Sequence, residues 1–284
     1  MGGGRPHSTA DGGRAGGWGS IVQTMDHTLQ ALLFDVDGTL ADTERHGHLP
    51  AFNEAFAAAG LDWHWSPELY EKLLAVGGGR ERIRHYVRTH RPEAGPGASG
   101  DDFVARVHAD KNRRYAAAVA AGRVGLRPGV SRLLRDAAAE GLRLAIVTTT
   151  SPENLEALLR HTPGAAGLPA FDVVVTGDMV AAKKPAPEAY LRALERLRLP
   201  PEACLALEDS GIGLRAAVAA GVPALVTVSE FSAHDDFGGA AAVVDGLGEP
   251  GAPVRVLAGD LGGAAFVDVA ALRAVHARAV RSRH

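Results

Sequence analysis

The chain predicts an α/β fold: a parallel sheet covered by helices on both faces, interrupted once by an all-helical insertion. Three observations predict it. From about residue 30 onward, short apolar runs alternate with amphipathic helical stretches. The runs lack polar alternation, as strands buried on both faces do. Residues 42 to about 125 hold several helical patterns and no convincing strand.

Taken in order, residues 1–24 come first. MGGGRPHSTADGGRAGGWGSIVQT has eight glycines in its first twenty positions and no apolar core pattern. Such a segment cannot bury enough surface to offset its ordering entropy, so disorder is expected. It also lacks the apolar stretch of a secretory signal. Met25 is an alternative start, since MDHTLQ leads straight into the first strand, ALLF (31–34). The insertion then offers four helical patterns: LPAFNEAFAAAG, SPELYEKLLAV, RERIRHYVRTH and DDFVARVHADKNRRYAAAVAAG. The loop RPEAGPGASGDD (91–102) separates the last two, and RPGV (127–130) returns the chain to the sheet. Further strands are expected at LRLAIVT (142–148), FDVVVTG (171–177), CLALED (204–209), VPALVTV (222–228) and AAVVD (241–245). PENLEALLR (152–160) reads as a helix with Pro152 in its first turn. PEAYLRALERLRL places Tyr190, Leu191, Leu194 and Leu197 on one helical face. The terminal VDVAALRAVHARAVRSRH reads as a basic helix covering the sheet. Strand–helix alternation of this kind implies a parallel sheet. The organisation expected is an extension at 1–24, a core from 25–41 and 126–284, and a helical unit at 42–125.

Bulk properties remove several function classes. The chain has 284 residues, 46% hydrophobic and 22% charged, with a formal net charge of −3. No basic stripe argues for nucleic acid, and no acidic tail for a charged partner. No apolar run reaches the ~18 residues that span a bilayer. Cys204 is the only cysteine, which excludes intramolecular disulfides and zinc ribbons. A cytoplasmic monomer is expected.

Ligands of open α/β sheets sit beyond the carboxyl ends of the strands. Four such ends carry polar residues here: Asp35 and Asp37, then Thr148 with Thr149 and Thr150, Lys183 with Lys184, and Glu208 with Asp209. Each has a plain structural alternative. An Asp-x-Asp-Gly turn is ordinary loop chemistry, threonines and acids cap helices, and a Lys-Lys-Pro loop is commonly solvated. Four polar clusters at four strand ends of one sheet argue for a shared crevice. Carboxylates crowded there would repel unless a hard cation lay among them, and Mg2+ prefers carboxylates, waters and a substrate phosphate. Lysine supplies a compact charge for phosphate, and threonine adds donors. One carboxylate can then attack phosphorus to give an acyl-phosphate, while a second handles the proton.

These residues resemble the haloacid dehalogenase superfamily of phosphohydrolases, over about residues 30–250. The four motifs match Asp35-Val36-Asp37-Gly38-Thr39, Thr148, Lys184 in KKPAPEAY, and Glu208-Asp209 in LEDSGIG. The resemblance implies a Rossmann-like core and a mobile four-helix cap. It makes Asp35 the nucleophile and Asp37 the general acid/base. Asp35, the Asp37 main-chain carbonyl and Asp209 would hold Mg2+, with Glu208 ligating directly or through water. Thr148, Lys184 and the backbone of Thr149 would bind the phosphoryl group. ADTERHGHLPAFNEAF, GGGRERI, LRPGV, AIVTTTSPENLEALL, LEDSGIGLRAA and EFSAHDDFGGAAAVVDGLGEP further resemble the CbbY-type phosphatases, which act on xylulose-1,5-bisphosphate. Two departures stand out. Thr149 occupies a position where phosphoglycolate phosphatases tend to carry Asn, and Pro50 falls in the first cap helix, which should therefore begin near it.

Substrate choice is expected from the helical unit. Glu44, near the hinge, can accept hydrogen bonds from a sugar hydroxyl, or simply be solvated. His48 and Lys111 match cap residues of relatives, though a lone histidine or lysine is often structural or superficial. Gly77, Gly78 and Gly79 allow close backbone approach, and Arg80 after them suits a second phosphate; a flexible loop with a surface arginine is the alternative. The function expected is a Mg2+-dependent phosphatase of a small phosphorylated sugar, preferably a bisphosphate such as xylulose-1,5-bisphosphate. A β-phosphoglucomutase, a promiscuous sugar-phosphate or phosphoglycolate phosphatase, and a non-catalytic binding protein are the alternatives.

Overall fold

The structure, a computed structural model, describes residues 1–4, 28–94, 97 and 100–282. The expectation for 1–24 therefore lies, from residue 5 on, outside the described residues, as does Met25.

The α/β architecture is the one expected, with one strand more. The strands are β1 (Ala31–Phe34), β2 (Arg143–Val147), β3 (Val173–Val175), β4 (Cys204–Glu208), β5 (Ala224–Thr227), β6 (Ala242–Val244) and β7 (Val256–Gly259). They form one sheet in the order β3-β2-β1-β4-β5-β6-β7. The first six run parallel, each inside one of the six apolar runs, and β7 pairs antiparallel with β6. The seventh strand was not expected because all four of its residues are exposed, leaving no burial pattern to read.

The helices are α1 (Leu49–Ala58), α2 (Pro67–Leu73), α3 (Gly79–His90), α4 (Asp101–Ala120), α5 (Val130–Ala139), α6 (Pro152–His161), α7 (Glu188–Leu197), α8 (Gly211–Ala219) and α9 (Val269–Arg281). Side chains alternate across a strand, so β1 buries Leu32 and Phe34 with Leu133, Leu272 and Val275 on one face. Its Ala31 and Leu33 join Tyr190, Leu194, Leu214 and Ala217 on the other. Burial on both faces explains the uninterrupted apolar runs. None of the described helices is long and apolar enough to cross a membrane.

Helices α1–α4 gather around a separate aromatic cluster that includes Phe52, Phe56, Trp63, Trp65, Tyr70 and Tyr86. The rings of Phe52 and Trp65 lie 4.6 Å apart. Phe231, from the loop after β5, joins this cluster and meets Tyr70 edge-on at 5.7 Å. Pro50 is the second residue of α1, as expected, but the backbone is already helical there. A π-helical turn, Glu44–His48, runs directly into α1. Pro50 has no N–H to give to the preceding turn, so an irregular turn there costs little. The chain leaves and re-enters the sheet side by side: Asp42 N–H donates to Gly125 O at 3.1 Å and Arg127 N–H to Leu40 O at 3.0 Å.

Candidate active site

The chain order sends β2 and β3 to one side of β1 and β4 to β6 to the other. The carboxyl end of β1 is thus the point where strand order reverses, the usual ligand crevice of such sheets. Phe34 pairs in register with Ile146 and Leu207, so the next residues, Asp35, Val147 and Glu208, arrive level with one another. Lys184 closes this row. Its Nζ donates to Asp35 Oδ1 at 2.7 Å, to Val147 O at 2.7 Å and to Glu208 Oε1 at 2.6 Å. Tyr190 donates its hydroxyl to the same Glu208 oxygen at 2.5 Å. Thr148 is buried beside the row, its Oγ1 accepting from Thr150 N–H at 3.1 Å, and Thr149 lines the open cleft.

The electrostatics follow from burial. Desolvation first, then Glu208, Asp209 and Asp37, push Asp35 well above the usual carboxylate range, with Lys184 opposing. Burial lifts Asp209 to about 8, against a hydrogen bond from Ser229 and the charge of Arg127. Burial alone would depress the Lys184 ammonium, but Asp35 and Glu208 outweigh it and hold it above its ordinary range. Among the described residues, Asp35, Glu208 and Asp209 offer oxygens all within 4.8 Å of one another. Glu208 Oε2 is buried and has no hydrogen-bond partner among the described residues. An acidic cluster in which Asp35 and Asp209 resist ionisation, with an orphaned Glu208 oxygen among them, fits a hard divalent cation. The Asp37 side chain stands outside that cluster.

Asp37 faces the helical side. Its Oδ1 accepts from Thr43 Oγ1 at 2.7 Å and lies 3.0 Å from His48 Nε2. Burial would raise its pKa, but His48 and then Thr43 hold it down at about 2. His48 stacks on Tyr115 with ring centres 4.1 Å apart, and its Nδ1 lies 2.7 Å from Lys111 Nζ. Lys111 is itself buried, which brings it down to about 7 against the opposing pull of Glu44 and Asp37.

That shift has a sign. Folded Lys111 loses its proton near pH 7, and the unfolded chain holds that proton to about 10.5. Between those values the unfolded state binds more protons, so stability rises with pH through the window. Lys111→Met should abolish a rise on the order of a few kcal/mol between pH 7 and 10. Denaturant melts of both proteins across that range check it; parallel curves would refute the depressed value.

A cleft of about 950 Å3 collects the remaining candidates, Glu44, His48, Gly78, Gly79, Arg80 and Lys111, with Asp35, Asp37 and Asp209. Glu44 accepts from the Tyr70 hydroxyl at 2.5 Å, and Arg82 backs that hydroxyl at 3.2 Å. Arg80 is exposed on the cleft wall. The glycines do permit close approach, here to the protein's own chain. A Cβ on Gly77 would lie 2.4 Å from Lys184 O, and one on Gly79 2.6 Å from His108 Nε2. Gly78, at φ +92°, packs against Glu81 and Lys183, whose Nζ donates to Glu81 Oε2 at 3.0 Å.

Three residues of the site carry little signal in the sequence. Tyr190 is one more apolar position of its helix, and nothing in PEAYLRAL marks its hydroxyl. Thr43 had no signal beyond adjacency to Asp42. His108 had one: it precedes Lys111 by three and Tyr115 by seven, the same helical face. Burial, followed by the charges of Lys111, Arg80 and Lys183, lowers His108 to about 3.

Comparison with known proteins agrees with this geometry. Residues 29–221 match the family model described as haloacid dehalogenase-like hydrolase. "Protein CbbY, plasmid" of Cupriavidus necator is 52% identical over 250 residues, 87% of this chain and 97% of that one. "Protein CbbY" of Rhodobacter capsulatus is 52% identical over 75% of this chain and 91% of its own length. Crystal structures of CbbY from Rhodobacter sphaeroides superpose at 45% identity, covering 77% of this chain and 94% of theirs. The complex with phosphate gives a TM-score of 0.69, and a mutant in complex with xylulose-(1,5)bisphosphate gives 0.70. The chain belongs to the haloacid dehalogenase-like hydrolases, and within them it is a phosphatase of the CbbY type.

Proposed function

We propose that this enzyme is a Mg2+-dependent phosphatase that hydrolyses a small phosphorylated sugar through an aspartyl-phosphate on Asp35, with xylulose-1,5-bisphosphate or a similar bisphosphate as substrate. One observation carries the reading: a buried lysine serving Asp35 and Glu208 together at the switch point of the sheet. The solved CbbY complex with xylulose-(1,5)bisphosphate supports the choice of sugar.

In this proposal an Asp35 oxygen attacks phosphorus and the ester P–O bond breaks, the leaving alkoxide taking a proton from Asp37. Asp37 then accepts a proton from water, whose oxygen attacks phosphorus. The bond from phosphorus to Asp35 breaks and inorganic phosphate leaves. The contact with His48 keeps Asp37 ionised in the empty site, so substrate entry must loosen that contact and let Asp37 take a proton from solvent before it can act as the acid. Lys184, Thr148 and the backbone of Thr149 hold the phosphoryl oxygens. Asp35, Asp209 and the Asp37 carbonyl would hold Mg2+, with Glu208 ligating or hydrogen-bonding through water. The cation would offset charge building on the phosphoryl oxygens.

Residues 42–125 act as the cap over a core of 25–41 and 126–284. There Glu44 and His48 meet the sugar, while Gly78, Gly79, Arg80 and Lys111, with Lys183 and His108 beside them, receive the distal phosphate. A cytoplasmic monomer completes the proposal.

Phosphate release across mono- and bisphosphorylated sugars, with Mg2+ and then with it chelated, tests the whole. Turnover that survives chelation refutes the metal role. Arg80→Ala should raise KM for a bisphosphate about tenfold or more, as loss of a charged hydrogen bond does, and leave a monophosphate nearly unchanged. Equal effects on both would remove its assigned place.

A further inference from the structure

Arg127 has no part in the chemistry above, yet its guanidinium joins two segments that border it. Nη1 donates to Gly38 O, to Thr227 O at 2.9 Å and to Thr227 Oγ1 at 3.1 Å, and Nη2 donates to Val228 O at 2.7 Å. Its backbone N–H is already committed to Leu40 O, beside the point where the helical unit leaves the sheet. One residue thus ties the turn after Asp37 to the end of β5 through its side chain, and to the hinge through its backbone.

Asp209 lies between the two segments so tied. Gly38 stands at φ +86°, and a Cβ there would come within 2.1 Å of Asp209 Oδ2, so the turn presses its bare Cα against that carboxylate. On the other side β4 pairs in register with β5, Glu208 beside Val226, which brings Asp209 level with Thr227. Beyond Ser229 the chain continues into Glu230, paired with Arg45, and Phe231, set in the aromatic cluster of the helical unit.

We propose that Arg127 is a positioning residue. By fixing the carbonyls of Gly38, Thr227 and Val228 it sets the spacing between the Asp37–Gly38 turn and Asp209, and holds both in register with the hinge. A planar, forked donor suits this task because the acceptors converge from separate segments. A lysine ammonium offers three donors from a single point and cannot span them. The assignment rests on the reading of Asp35 and Asp209 as metal-holding carboxylates, and its test separates the two.

Mg2+ is titrated calorimetrically into metal-free protein: unaltered, Arg127→Lys, and Arg127→Ala with and without added guanidinium ion. Folding is followed by thermal melting. Arg127→Lys should melt cooperatively and bind Mg2+ about tenfold more weakly, the usual cost of losing a group that orients a metal ligand. Its kcat should fall while KM for the sugar phosphate stays within about twofold, because the phosphate contacts are untouched. Guanidinium, and not sodium chloride at the same ionic strength, should restore affinity to Arg127→Ala. Mg2+ that fails to bind the unaltered protein overturns the metal reading and this assignment with it. Equal binding by the unaltered protein and Arg127→Lys overturns the assignment alone. So does absence of guanidinium rescue, or loss of folding in both variants, which would make the arginine a determinant of stability and not of site geometry.

Discussion

Asp35→Asn is expected to lower kcat on the order of 10^4-fold or more, as removal of a covalent nucleophile does, with the fold retained. The amide is nearly isosteric, but its oxygen is a poor nucleophile and its nitrogen is none. Retention of the fold follows from the contacts around the position. Lys184 keeps Glu208 and Val147 O as partners after the change. Loss of one charge also relieves the repulsion by which Glu208, Asp209 and Asp37 raise Asp35. The thermal midpoint should therefore move little. Steady-state phosphate release gives kcat, and mass spectrometry shows that the asparagine has not deamidated. A beryllofluoride mimic of the phosphoryl group should occupy Asp35 in the unaltered protein and not in the variant. A kcat within tenfold of the original, with the asparagine intact, would remove Asp35 from the reaction.

The parts of this molecule legible in its sequence are those where one physical signal dominates. β1 to β6 are buried on both faces, so their apolar runs stand out against amphipathic helices. β7 lies at the sheet edge with its residues exposed, and edge pairing leaves no pattern in composition. Asp35, Lys184, Glu208 and Asp209 could be grouped because strand ends of a parallel sheet converge, a consequence of topology and not of any one motif. How the groups share hydrogen bonds was beyond reach. That Lys184 spans Asp35 and Glu208 depends on register, and that Tyr190 backs Glu208 depends on how α7 packs. The glycines of GGGRERI point to close backbone approach, and Gly77 and Gly78 lie on the cleft while making room for the loop of Lys183 and Lys184. Sequence indicated that backbone must come close there, and only packing says to what. Arg127 shows the same limit from the other side. Its side chain serves residues 38, 227 and 228, a convergence that no local pattern encodes.

Lys184→Met is expected to damage stability as well as turnover, and the stability loss should depend on pH. The ammonium is buried and sits between two carboxylates, with side-chain exposure of 3% for the lysine and 0% for Glu208. Methionine fills similar space and leaves Asp35 and Glu208 without their countercharge. Breaking a buried pair from one side costs about 3–5 kcal/mol, because the remaining charge is uncompensated. The carboxylates can avoid part of that cost by holding a proton. Asp35 already lies above its ordinary value of 3.8, and removing Lys184 removes the influence that opposed the rise. Between about pH 4 and its raised folded value, the Asp35 carboxyl then holds more proton in the folded variant than in the unfolded chain, so stability falls as pH rises through that window. Denaturant melts of metal-free protein should show a modest deficit near pH 5 and a larger one near pH 8, and added Mg2+ should recover part of the latter by supplying positive charge to the same carboxylates. A deficit that is flat with pH would mean that the carboxylates stay ionised without Lys184, and that this lysine serves the substrate phosphate alone.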